Sequence, residues 1–81
     1  MKAFAKRLER YLADNGRTMP KMVSLANDAN EAEEISITAC VMSRIFGVAL
    51  SDCVDYVDEC VADSDCIDLK EIEEYIKYFE R

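Results

Sequence analysis

The sequence predicts an all-α protein: a compact bundle of four to five short helices, folded as a single domain over residues 1–81. Three observations carry this expectation. Apolar residues recur at helical spacing along most of the chain. Helix-starting residues stand ahead of these runs at Asn30, Ser51 and Asp68, and glycines follow them at Gly16 and Gly47. Only one segment reads as a strand, and a lone strand has nothing to pair with.

The first helix runs from Lys2 to about Asp14. Phe4, Leu8, Tyr11 and Leu12 share one face, and Lys2, Lys6, Arg7 and Arg10 share the opposite one. Asn15-Gly16 stops it, because glycine enters the left-handed region without a Cβ clash. Arg17 to Asn30 has two readings. Thr18 caps a helix with Pro20 in its first turn, where a missing N–H is harmless, or Lys21 to Leu25 forms a short strand. Helix is preferred, with Met22, Val23, Leu25, Ala26 and Ala29 inward.

Asn30 starts the next helix, and Glu33 three residues later completes a capping box. Ile35, Ile37, Ala39, Val41, Met42, Ile45 and Phe46 cover more than half its circumference, which makes it the central helix. Gly47 ends it. Ser51 caps a fourth helix to about Ala62, with Cys53, Val54, Val57, Cys60 and Val61 inside and Asp52, Asp55, Asp58 and Glu59 outside. The fifth follows Asp68. Asp68 and Glu71 form a second capping box, and Ile67 and Ile72 stand where a hydrophobic staple needs them. Leu69, Ile72, Ile76 and Phe79 point inward with Tyr75 beside them, while Lys70, Glu71, Glu73, Glu74 and Lys77 point out.

Composition then narrows the function. A domain of this size buries about 60–65% of its unfolded surface, which leaves little room for a deep cleft. The 81 residues include no His and no Trp, so the usual general base near neutral pH and the commonest metal ligand are missing. No enzyme and no cofactor are expected. No apolar run approaches the length of a membrane span. Basic residues interrupt Met1 to Leu12, where a signal peptide has an unbroken apolar stretch. A cytoplasmic protein is expected, in the host cytoplasm if the source is a phage. Charge is uneven: residues 1–21 hold six basic and two acidic side chains, +4, and residues 22–81 hold four and fifteen, −11, within a total of −7. Such asymmetry points to charged partners.

Four patterns invite a site. Cys40, Cys53, Cys60 and Cys66 lack the close pair of a zinc knuckle and a His to complete one, so no metal is expected. Cys53 and Cys60 lie about 10 Å apart along one helix, too far for a disulfide. Free, mostly buried thiols are expected. The stretch Asp63-Ser64-Asp65-Cys66-Ile67-Asp68-Leu69-Lys70-Glu71 resembles the second half of an EF-hand, which implies a calcium-responsive module. With Glu71 as the last ligand, however, the first, third, fifth and sixth loop positions fall on Cys60, Ala62, Ser64 and Asp65, so two ligands and the turn glycine are gone. Ile35 to Asp58, with Phe46-Gly47-Val48 at its turn, resembles a helix-turn-helix in outline. Its second helix presents Asp52, Asp55, Asp58 and Glu59, which phosphates repel, so no direct nucleic-acid contact is expected. The basic face of the first helix could meet phosphate or an anionic membrane, but pairing with the chain's own acidic helices is preferred.

The acidic face is the preferred site. Asp52, Asp55, Asp58, Glu59, Asp63 and Asp65 set one sign of charge along about 20 Å of helix and turn, and Glu73 and Glu74 extend it. Carboxylates on a rigid helix imitate nucleic-acid phosphates and attract a positive partner; the plain alternative is a solvated face that maintains solubility. The expectation is a non-catalytic inhibitor that docks as a nucleic-acid mimic on the basic surface of a nucleic-acid-binding protein or complex, with no membrane involved. In size and charge the chain resembles small phage-encoded inhibitors of host defence, such as anti-restriction and anti-CRISPR proteins. That likeness rests on no shared motif and carries over no residue roles. The alternative function is a helical scaffold or oligomerisation domain working through apolar helix faces, in which a homodimer would bring the first and fourth helices together.

Overall fold

Apolar periodicity and local stop signals produce five helices among the described residues: α1 (Ala3–Asp14), α2 (Pro20–Asn27), α3 (Glu31–Phe46), α4 (Leu50–Val61) and α5 (Leu69–Phe79). The structure, a computed structural model, describes every residue except Asp63, Asp65 and Arg81. It contains no strand among them, so Lys21–Leu25 belongs to helix.

The stops work as the sequence predicts. Gly16 has φ 67°, and the N–H groups of Gly16 and Arg17 turn back to the carbonyls of Ala13 and Leu12 at 3.0 and 2.8 Å. These bonds satisfy carbonyls that the end of α1 would otherwise leave bare. Gly47 repeats the left-handed conformation after α3. At the start of α3 the Asn30 side chain accepts from the Glu33 N–H at 2.9 Å, and the Asn30 N–H donates to the Glu33 carboxylate at 3.3 Å.

Other caps differ from expectation. Met19, not Thr18, is the cap of α2, with Pro20 supplying the first turn. Ala49, not Ser51, caps α4, without a side-chain bond. Ser51 falls inside the helix because the Gly47 turn leaves only Val48 and Ala49 between α3 and α4. Asp68 accepts from the Lys70 and Glu71 N–H groups at 3.0 and 3.2 Å, but the return bond of the expected box is not made among the described residues.

Each helix packs on the next in sequence, α3 and α4 most extensively. The core joins Phe4, Leu8 and Leu12 of α1, Ala26 of α2, Val41 and Met42 of α3, Cys53 and Val57 of α4, and Ile72 and Ile76 of α5. Ile67 and Ile72 are both buried, as a staple requires. Thr38 is fully buried on α3, and its hydroxyl donates to the Glu34 carbonyl at 2.8 Å, so its burial strands no polar group. The Cα radius of gyration is 11.6 Å, the value of a compact chain of this length, about 12 Å.

Two apolar side chains expected inside lie outside. Leu25 is 59% exposed, because Val23 and Ala26 already define the inner face of a short α2. Phe79 is 53% exposed at the last position of α5, beyond the end of the core stripe formed by Leu69, Ile72 and Ile76.

Candidate functional site

The side chains that pack α4 determine which of its residues face out. Cys53 and Val57 are fully buried, with Val54, Cys60 and Val61 half-buried beside them. Successive residues turn about 100°, so Asp52, Asp55, Asp58 and Glu59 are left on the exposed side. Glu74 of α5 is exposed as well. Asp63 and Asp65 lie outside the described residues. Two ion pairs occur among the described residues, Lys2–Glu34 at 3.0 Å and Lys77–Glu73 at 3.6 Å, and neither involves α4.

Glu73 is a correction. It does not extend the acidic face: its side chain is 17% exposed, accepts a 2.7 Å hydrogen bond from the Tyr11 hydroxyl and pairs with Lys77. Tyr11 is buried, and its hydroxyl also contacts Met42 Sδ at 3.9 Å. Burial pushes the Tyr11 phenol well up from its ordinary value, and the bond to Glu73 and that carboxylate's charge push it further. Glu73 therefore ties α1 to α5.

The basic face of α1 is a second correction. Among the described residues only Lys2 is neutralised from within, by Glu34 of α3; its ammonium also donates to the Ala29 carbonyl, and its backbone N–H donates to Asn27 Oδ1 at 2.7 Å. Lys6, Arg7 and Arg10 remain exposed. Arg7 and Arg10 border an open depression of about 370 Å³ against the start of α5, with Cys66 and Lys70 on its other side.

The thiols are free but only one is buried: Cys53 is buried, Cys40 and Cys60 are half-buried, and Cys66 is exposed. Burial pushes the Cys53 thiol up, with Asp52 adding to the effect; burial does the same to Cys60, with Glu71 and Glu59 adding. Among the described residues no three Cys, Asp or Glu side chains converge as a metal site requires. The EF-hand-like stretch includes Asp63 and Asp65, beyond that statement, and its first position, Cys60, sits within α4.

Beside the acidic face lies a feature that the sequence reading misses as a unit. Tyr56 of α4 and Tyr75, Tyr78 and Phe79 of α5 form an aromatic cluster. Tyr75 and Phe79 lie 4.7 Å apart between ring centroids, Tyr78 and Phe79 5.1 Å, Tyr56 and Tyr75 5.8 Å, and Tyr56 stacks on Phe79 at 6.0 Å. The spacing of Tyr75 and Phe79, one helical turn apart, is the sequence signal for half of it. The Tyr56 hydroxyl donates to Glu80 at 3.5 Å. Crowding by its neighbours pushes the Tyr56 phenol up, and Glu80 and Asp52 add to this; Tyr75 is pushed up likewise, with Glu59 adding. Carboxylates of α4 and of the residue that follows α5 thus lie near the rings.

No helix of the described residues is long and apolar enough to cross a membrane. The chain matches no protein-family model, no curated protein and no solved structure with which it was compared.

Proposed function

We propose that this protein is a non-catalytic interaction module whose acidic α4 face docks on a basic surface of a nucleic-acid-binding protein, inhibiting it as a nucleic-acid mimic. One observation carries the reading. Asp52, Asp55, Asp58 and Glu59 are all exposed on one rigid helix, and neither ion pair among the described residues engages them. Carboxylates that serve only solubility need no common face, whereas a basic groove reads a row of like charges. The sequence supports a binding role over catalysis, since it offers no His to activate a nucleophile.

The test is affinity capture from the source cells, with wild type compared with a variant carrying Asp55→Lys, Asp58→Lys and Glu59→Lys. A nucleic-acid-binding protein retained by wild type, released by salt and absent from the variant supports the proposal. A partner retained equally by both, at any salt concentration, defeats it. A scaffold working through apolar faces is the second reading, favoured by the exposure of Leu25, Leu50, Tyr78 and Phe79. Its signature is salt-insensitive binding that survives the triple substitution.

A further inference from the structure

Tyr56 packs against the core, but the outer half of the aromatic cluster, Tyr78 and Phe79, lies beyond it. Cys53, Val57, Ile72 and Ile76 are already sealed at 1% exposure or less, while Tyr78 and Phe79 stay 70% and 53% exposed. Large aromatic side chains held together at a surface are what protein interfaces use as anchors, because they bury much area at little entropy loss. Here Glu80 accepts from the Tyr56 hydroxyl at 3.5 Å, and Asp52 stands one helical turn before Tyr56 on α4.

We propose that this aromatic seam between α4 and α5 receives arginine side chains of the basic protein partner. The proposal rests on the docking reading above and specifies its chemistry. A guanidinium needs a flat π surface for stacking and a carboxylate for paired hydrogen bonds, and the seam presents both within one turn of helix. A lysine ammonium uses only the charge and is more strongly hydrated, so it gains less from the rings. Nucleic acid and anionic lipid carry the wrong sign for this rim. A second copy of the chain offers scattered arginines, Arg7 and Arg10 on α1 with Arg17 and Arg44 elsewhere among the described residues, on a molecule of net charge −7 that repels its like.

The probes are fluorescent oligo-arginine and oligo-lysine peptides of equal length, titrated by anisotropy at low ionic strength. Wild type should bind the arginine peptide about fivefold more tightly. The Tyr78→Ala, Phe79→Ala variant should bind both peptides equally, and Tyr78→Ala alone should show an intermediate ratio. Asp55→Asn with Asp58→Asn should weaken both peptides and leave the ratio unchanged. Equal affinities in wild type, or an undiminished ratio in the aromatic variants, overturn the proposal and leave the docking reading standing. Failure of wild type to bind either peptide removes both. Concentration-dependent dimerisation in sedimentation, abolished by the aromatic double substitution, assigns the seam to a second copy and overturns the proposal. The wild-type ratio is informative whether or not any variant folds.

Discussion

Replacing Tyr11 with Phe removes one oxygen from a buried ring and leaves its shape intact, so the change isolates the bond between α1 and α5. That oxygen donates to Glu73 at 2.7 Å. A hydrogen bond to a charged group contributes about 1.5–3 kcal/mol net. Glu73 retains some water, at 17% exposure, and has Lys77 at 3.6 Å, so the loss falls to about 1–2 kcal/mol. In a domain of this size that lowers Tm by about 4–16 °C. Urea unfolding followed by far-ultraviolet circular dichroism should show a lower midpoint with an unchanged slope. The pH dependence has a definite sign. The folded phenol ionises later than the unfolded one, because burial first and Glu73 second favour its protonated form. Below about pH 10 both states are protonated and the wild-type advantage is constant. Above that pH the unfolded chain ionises first, wild-type stability falls, and the gap to Tyr11→Phe narrows. Since the partners touch, Tyr11→Phe and Glu73→Gln should combine non-additively. A loss of stability below about 0.3 kcal/mol at neutral pH would refute the claim that this bond joins the helices.

Three further outcomes follow from the same description. The triple substitution Asp55→Lys, Asp58→Lys, Glu59→Lys should preserve the helical dichroism signal, because exposed positions rarely cost more than about 0.5 kcal/mol; loss of helix would show that these carboxylates hold the fold. Thiol labelling of the native protein should modify Cys66 first and Cys53 last, with denaturant abolishing the difference, and rapid native labelling of Cys53 would contradict its burial. Asn30→Ala should lower stability by about 1 kcal/mol in thermal or urea unfolding, because it breaks the capping box of α3, and an unchanged midpoint would show that the box is dispensable.

What could be read in advance was local. The Asn30–Glu33 box, the Gly16 and Gly47 stops and the buried stripe of α1 each depend on residues within a turn or two, and they formed as their spacing dictates. Ser51 misled because a good capping residue competes with the length of the turn before it, and Gly47-Val48-Ala49 had already spanned the gap. Leu25 and Phe79 misled because hydrophobicity says that a residue can be buried, while the neighbouring helices decide whether space remains. Glu73 was the hardest to place. Its partner, Tyr11, is 62 positions away, and no helical periodicity carries information over that separation. The carboxylates of α4 were legible as a face, but the rings beside them needed the packing of α5 to bring them together.

The α4 helix folds against its own electrostatics. Asp55 has Asp52 and Asp58 three residues away on either side and Glu59 four residues on, and no basic residue occupies the last turn to meet the negative end of the helix dipole. This locally frustrated segment is held by Cys53 and Val57 beneath it. Simple salt therefore acts on the molecule in two opposite directions. By shortening the reach of charge to about 8 Å at physiological ionic strength, it relieves the repulsion along α4 and slows amide exchange there. The same screening loosens the grip of α4 on any cationic surface. A cationic partner of the kind proposed would relieve that repulsion more completely than diffuse ions, and the stability of α4 and its affinity for that partner would then be linked.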